Sequence, residues 1–389
     1  MQHEQGVFAD AEARVEAYSE AVVEPPQEHA PVGVDPNQAV ADTSVLADTP
    51  AVDEPAAAPQ AVEVPTARRL RTAAELTASA ERVRPRRATR GWQGFARRVT
   101  VGAWSPAPGA TEAAEVADTR AVRTRWRGPK TVVVANPKGA AGKTPTTIGL
   151  AGTFGELRGG NVLAWDNNET LGTLGLRVPG VQCPATAVDL LEQIDTFEQR
   201  VARRGDLAQL VRGQEAGNFH VLASDEDPHR MSQIDAPAFR RLHGILDRYY
   251  DVLVVDTGNN PRAANFTAAI DVADALVIPI AWSEDKVVTA GRLIDQLCET
   301  GHEDLVTRGV IVVTGNRGTQ TTDANVRAWR ETLSEQVAAV VEIPADEHLA
   351  GGGPIVLDQL VRGTRRAYLA AAAAVAAQFT AADGRSTGR

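Results

Sequence analysis

Beyond Thr131 the chain alternates short, uniformly apolar runs with longer segments in which apolar positions recur every three or four residues. The short runs have the length and the valine and isoleucine content of strands. The longer period is that of a helix with one buried face. Strands are predicted at 131–135, 161–165, 219–223, 252–256, 275–280, 310–314 and 338–343. Helices are predicted at 145–157, 187–204 (broken once), 236–250, 285–300, 324–335 and 365–379. Arg158-Gly-Gly160 stops the first helix. This alternation specifies one α/β domain over 131–380, with a mainly parallel twisted sheet flanked by helices.

Ahead of Thr131 neither period holds. Residues 1–65 carry recurrent proline, many Asp and Glu, and Arg14 as the one Lys or Arg. Such a segment cannot bury a core and repels itself, so it is expected to be an acidic disordered tail, with 12–23 as a transient helix. The sign then flips. Arg68, Arg69, Arg71, Arg82, Arg84, Arg86, Arg87, Arg90, Arg97 and Arg98 lead into Trp92, Trp104 and Trp126. Residues 66–130 are expected to be a mostly disordered linker. Its arginine-rich part, 68–98, has the composition to meet DNA, an anionic membrane surface or an acidic protein, or simply to stay solvated. Residues 381–389 are expected to be a flexible tail.

Charge and composition narrow the class. The net charge of −10 over 389 residues does not advertise nucleic-acid binding by the whole chain. There is no apolar run of transmembrane length, and the first residues lack the basic and apolar regions of a signal peptide. Cys183 and Cys298 have no metal-ligand spacing and are expected to be buried thiols in a reducing compartment. The expected location is cytoplasmic, peripheral to membrane or nucleoid through a partner.

The candidate chemistry lies at the strand ends, where ligands bind in open parallel sheets. The first strand runs into Asn136-Pro-Lys-Gly-Ala-Ala-Gly-Lys-Thr144. Gly139 and Gly142 let the backbone curl, so that the N–H groups of 139–142 and the first helical turn form a socket for phosphate oxygens. Lys143 would set its ammonium between the outer phosphates. The Thr144 hydroxyl would take one position on magnesium (Mg2+). Asp256 closes an apolar strand, the arrangement that holds a magnesium shell through water. Thr257-Gly-Asn-Asn-Pro261 follows it as a segment able to sense the terminal phosphate. The second strand ends in Asp166-Asn-Asn168-Glu169, and the strand at 310 in Thr314-Gly-Asn-Arg317. Asn316 either reads an adenine edge with its amide or is a turn asparagine. Arg317 beside it is a second candidate nucleotide contact.

The spacing Lys138-Gly-Ala-Ala-Gly-Lys-Thr144 resembles the deviant phosphate loop of the ParA/MinD ATPases, and the resemblance extends over 131–380. It implies a P-loop fold of that type, binding of ATP and magnesium, and slow hydrolysis stimulated by a protein partner. It also implies a homodimer closed over ATP, in which Lys138 reaches the partner's phosphates. Arg90-Gly-Trp92, Thr153-Phe-Gly-Glu-Leu-Arg-Gly-Gly160, Gly172-Thr-Leu-Gly175, Ile343-Pro-Ala-Asp-Glu-His348 and Arg366-Ala-Tyr-Leu369 look similar to an actinobacterial branch found beside type VII secretion genes and on mobile elements.

Three positions depart from the family pattern. Ala140 stands where a second glycine is usual, which reads as a small change. Pro145 replaces a hydroxyl residue, removing an N–H and an O–H that could touch phosphate, although a first helical turn tolerates proline. Asn168 stands where the second-strand motif, begun by Asp166, often has another acid. An amide can orient water but cannot take its proton. Slow basal hydrolysis is therefore expected. The rival readings are a nucleotide-binding adaptor for a secretion or conjugation machine, and a partition ATPase that binds DNA. A tyrosine kinase of this fold would need a C-terminal tyrosine cluster, and an iron protein would need cluster cysteines. The chain has neither.

Overall fold

The structure, a computed structural model, describes residues 89, 91–100, 107, 109–169, 172–179, 183–199, 202–315, 318 and 320–386. The expectations for the acidic tail at 1–65, for 66–88 and for Asn316 and Arg317 lie outside the described residues.

Among the described residues eight strands form one sheet: β1 (Lys130–Val134), β2 (Val162–Asn167), β3 (Arg212–Gln214), β4 (Phe219–Leu222), β5 (Val252–Thr257), β6 (Ala275–Ile280), β7 (Val310–Val313) and β8 (Ala339–Glu342). Their order is β3-β4-β2-β5-β1-β6-β7-β8. β3 runs antiparallel to β4, and the other neighbouring pairs are parallel. Alternate residues of each strand point to opposite faces, so the uniformly apolar strands feed two cores at once. Val133, Leu253, Val255 and Trp165 pack on one side, where Trp165 stacks on Phe239 of the helix Ala236–Leu246. Val132, Val134, Val252 and Val254 pack on the other, against Ile148, Phe154, Tyr368 and Phe379.

The helices of the described residues include α1 (Gly91–Val99), α2 (Ala110–Arg123), α3 (Lys143–Arg158), α4 (Ala236–Leu246), α5 (Glu284–Glu299) and α6 (Arg362–Ser386). α3 leaves the end of β1 and is held tightly by α6. A Cβ on Gly149 would come within 2.3 Å of the Tyr368 ring, so the close approach needs glycine. The Tyr368 hydroxyl donates to the Pro145 carbonyl at 3.2 Å and so ties α6 to the first turn of α3.

The packed body begins upstream of the boundary expected at residue 131. α2 lies within the stretch read as a linker, and its Val122 is fully buried. Trp126 meets the Phe379 ring edge-on at 4.9 Å, and the Arg158 guanidinium lies 3.5 Å above the Trp126 ring. Arg158 also donates to the Val122 and Thr124 carbonyls. The arginines around Trp126 hid this corner, because α2 is alanine-rich and offers little contrast between its faces.

Three further differences have local causes. The region expected as one broken helix at 187–204 is three short helices, Ala187–Glu192, Ile194–Glu198 and Arg204–Ala208. The first starts at a Thr186–Asp189 capping box. β3 carries no apolar pattern and forms through a turn in which Gly217 and Asn218 both take positive φ. α6 runs on to Ser386, past the expected end at 379, because alanines continue through Ala382. Of the two cysteines, Cys183 is buried as expected, but Cys298 is exposed on α5.

Candidate functional site

The carboxyl ends of β1, β2, β5 and β7 converge on the loop that starts α3. The loop is braced from below and behind. Asn136, fully buried, donates to the Pro279 carbonyl at 2.7 Å and accepts the Lys138 N–H at 2.9 Å. Gly142 caps α3 with φ of 95°, and a Cβ there would lie 2.1 Å from the Thr314 hydroxyl oxygen. That hydroxyl donates to the Ala141 carbonyl at 3.2 Å. Gly139 has open space around its α-carbon, as a loop that curls about a ligand requires. Ala140 takes φ of 56°. The substitution read as a small change thus places a side chain in the left-handed region, where a Cβ costs about 1–2 kcal/mol.

Lys143 begins α3. Its ammonium donates to the Asn136 carbonyl at 2.8 Å and to Asn259 Oδ1 at 2.6 Å, with the Lys138 carbonyl at 3.5 Å. Burial holds its pKa below the usual lysine range, against the pull of Asp256 and Glu169. The Thr144 hydroxyl donates to Asp256 Oδ2 at 2.7 Å and lies 3.1 Å from the Thr173 hydroxyl.

Asp166 and Asp256 face each other in register on β2 and β5, and both are buried. Burial pushes the Asp166 carboxyl up, while the Leu174 and Asn168 N–H groups, Ser224 and Arg212 partly stabilise its charge. Burial and then Asp166 push Asp256 up further, against Thr144 and Lys143. Asp256 Oδ1 is buried with no hydrogen-bond partner. Two adjoining buried carboxylates, one orphaned oxygen and a threonine hydroxyl make a donor set that fits a hard divalent cation. The curled loop, the α3 N-terminus and the Lys143 ammonium fit the polyphosphate such a cation accompanies.

The other expected residues fall around this centre. Lys138 lies on the surface and pairs with Asp285 at 3.3 Å, near the start of α5. Pro145 sits in the first turn of α3. Asn168 donates its N–H to Asp166 Oδ1 at 3.3 Å. Asn259 falls in the segment expected to sense the terminal phosphate, and Thr314 and Glu169 in the polar strand ends, but none of the three was given a role of its own, and Asn136 and Thr173 were given none either. Glu169 accepts the Asn260 N–H at 3.1 Å and so joins the end of β2 to the loop after β5. Its signal was available: an acid one residue past Asn168 at a strand end.

No family model matches the chain. In sequence it is similar to the ESX-1 secretion-associated protein EspI of two Mycobacterium tuberculosis strains, with 28% identity over 268 residues, 68% of this chain. The match spans 39% of the length of EspI. In structure the chain is similar to a ParA family ATPase from Chlorobium tepidum, with a TM-score of 0.52 and 18% identity, covering 63% of this chain and 98% of that one. The cell division ATPase MinD of Pyrococcus furiosus superposes with a TM-score of 0.49 and 17% identity over 62% of this chain and 97% of its own. The fold is that of the ParA family ATPase, and its carboxyl strand ends carry the site built around Lys143 and Asp256.

Proposed function

We propose that this chain is an ATP-dependent molecular switch. It binds ATP and magnesium at the loop 138–145, pairs with a second copy when ATP is bound, and hydrolyses slowly until a protein partner stimulates it. The observation that carries this reading is Asp256 Oδ1, a buried carboxylate oxygen left unpartnered beside Thr144 and Lys143. Magnesium would neutralise the polyphosphate there. Thr144 and Asp256 would hold the ion, with Asp166 behind them. Lys143 would keep Asn259 and turn the N–H now 3.5 Å from the Lys138 carbonyl to phosphate. Lys138 would leave Asp285 for the second copy, an exchange between exposed ion pairs that costs little. Asn168 keeps the basal rate low because its amide cannot take a proton from water.

The likeness to EspI supports a role beside a type VII secretion system. For the surface that the arginine-rich segment meets, α1 favours an anionic membrane over DNA. Phe95 and Val99, one turn apart, are 69% and 64% exposed next to the exposed Arg98. An apolar pair flanked by arginine suits a lipid headgroup boundary, whereas phosphate contacts to DNA need no apolar wedge.

Light scattering on size exclusion, with ATP-magnesium, ADP-magnesium or no nucleotide, tests the switch. Wild type is expected to shift from monomer to dimer with ATP alone, and Lys143→Ala to stay monomeric. An unchanged mass in every condition overturns the switch. Single-turnover hydrolysis then separates a switch from an adaptor that only holds nucleotide. Co-sedimentation with phosphatidylglycerol vesicles, set beside a DNA mobility shift, decides the surface.

A further inference from the structure

We propose that Glu169 is a positioning residue for hydrolysis. It clasps the loop after β5 to the end of β2 and thereby sets Asn259 against Lys143. The inference deepens the switch reading and rests on it for the hydrolysis step alone. Lys143 Nζ donates to Asn259 Oδ1 at 2.6 Å, and the next residue, Asn260, donates its N–H to Glu169 Oε1 at 3.1 Å. The lysine expected to meet phosphate and the acid at the end of β2 are thus joined through two consecutive residues of one loop.

The second carboxylate oxygen shows how close the clasp is. Glu169 Oε2 is buried without a hydrogen-bond partner, and a Cβ on Gly258 would stand 1.6 Å from it. Glycine at 258 is what admits the carboxylate. A buried carboxylate oxygen without a donor is costly, so this contact is not one that folding alone would favour. Its charge also draws Lys143 toward the protonated state, against the burial that opposes it. The Glu169–Asn260 bond thus joins the segment after β2 to the loop after β5.

The test is hydrogen–deuterium exchange on the full chain without nucleotide, comparing wild type, Glu169→Ala, Glu169→Gln and Gly258→Ala. Losing one charge-assisted bond should speed exchange across 257–262 by about tenfold in Glu169→Ala. Gln keeps the acceptor and the shape, so Glu169→Gln should stay near wild type. Gly258→Ala should match Glu169→Ala by displacing the carboxylate, and the double variant should add nothing further. With ATP-magnesium, Glu169→Ala should slow single-turnover hydrolysis by about tenfold while fluorescent ATP affinity stays within about threefold. Unchanged exchange at 257–262 in Glu169→Ala overturns the clasp. Faster exchange with an unchanged hydrolysis rate overturns the positioning role. If wild type binds no nucleotide, the switch reading falls and the positioning role with it, while the exchange result still decides the clasp.

Discussion

The two ends of α3 hold desolvated cations in opposite electrostatic settings. Arg158 closes the helix, where the carbonyl ends of the peptide dipoles favour positive charge. It has permanent partners there: the Trp126 ring beneath it and the carbonyls of Val122 and Thr124. Lys143 opens the helix, where the dipoles disfavour a cation, and burial weakens its charge further. Its partners are a backbone carbonyl and an asparagine amide, neutral groups that leave its charge uncompensated. One end is a finished structural contact. The other is arranged for a ligand with negative charge.

Breaking the structural end should give the largest effect. Trp126→Ala removes the ring that Arg158 covers and that Phe379 and Phe154 abut. We expect a loss of about 3 kcal/mol, read from the midpoint of urea unfolding. Fluorescent ATP binding at low temperature should be unaffected, since the contacts lie at the far end of α3. A matching loss of nucleotide affinity would mean that the two ends are not independent.

At the other end a substitution should stabilise. Asp256 has a folded-state pKa above its unfolded value, chiefly through burial and then Asp166. For such a group the stabilising contribution is fully present below the unfolded pKa, about 4, and is lost as pH rises through the folded pKa. Wild type without metal should therefore lose stability as pH climbs from 4 toward neutrality, and Asp256→Asn should lose less. Near neutral pH we expect the variant to be more stable by about 2 kcal/mol in thermal unfolding, while magnesium-dependent nucleotide binding disappears. If Asp256→Asn destabilises the chain, the carboxylate is held for folding rather than for a cation.

Asn168→Asp sharpens the contrast between binding and turnover. The added acid should raise the single-turnover rate about tenfold, with affinity little changed. An unaltered rate removes Asn168 as the cause of slow hydrolysis. Run beside the Glu169 variants, it separates an acid that acts on water from one that holds the loop.

The sheet and the loop before α3 were legible because they rest on local pattern. Valine-rich runs bounded by glycine and polar residues specify buried parallel strands, and Gly139 and Gly142 mark the turn that puts Lys143 and Thr144 at a helix N-terminus. What stayed hidden depends on distant pairs. Trp126 is defined by Phe379 and Arg158, and Glu169 by Asn260 and Gly258, none of which is a sequence neighbour. The pairing of Asp166 with Asp256 needed the strand order that puts β2 beside β5. The conformation of Ala140 was invisible for another reason: a side-chain list does not show φ.

Ala140 also supplies the smallest test of the two-ended picture. Its φ of 56° is held within a loop braced by Asn136 and Thr314. Glycine at this position carries no Cβ penalty in the folded state but adds freedom to the unfolded chain. The two terms oppose, so Ala140→Gly should stabilise the protein by about 0.5–1 kcal/mol rather than by the full left-handed penalty. Thermal unfolding of the nucleotide-free chain reads this directly. Nucleotide affinity offers a second reading, since a loop already fixed by alanine has less freedom to lose when phosphate arrives. If Ala140 preorganises the loop, the glycine variant should bind ATP about two- to threefold more weakly despite its greater stability. If stability and affinity rise together, the left-handed alanine is strain without use, and the ligand end of α3 is less prepared than its geometry suggests.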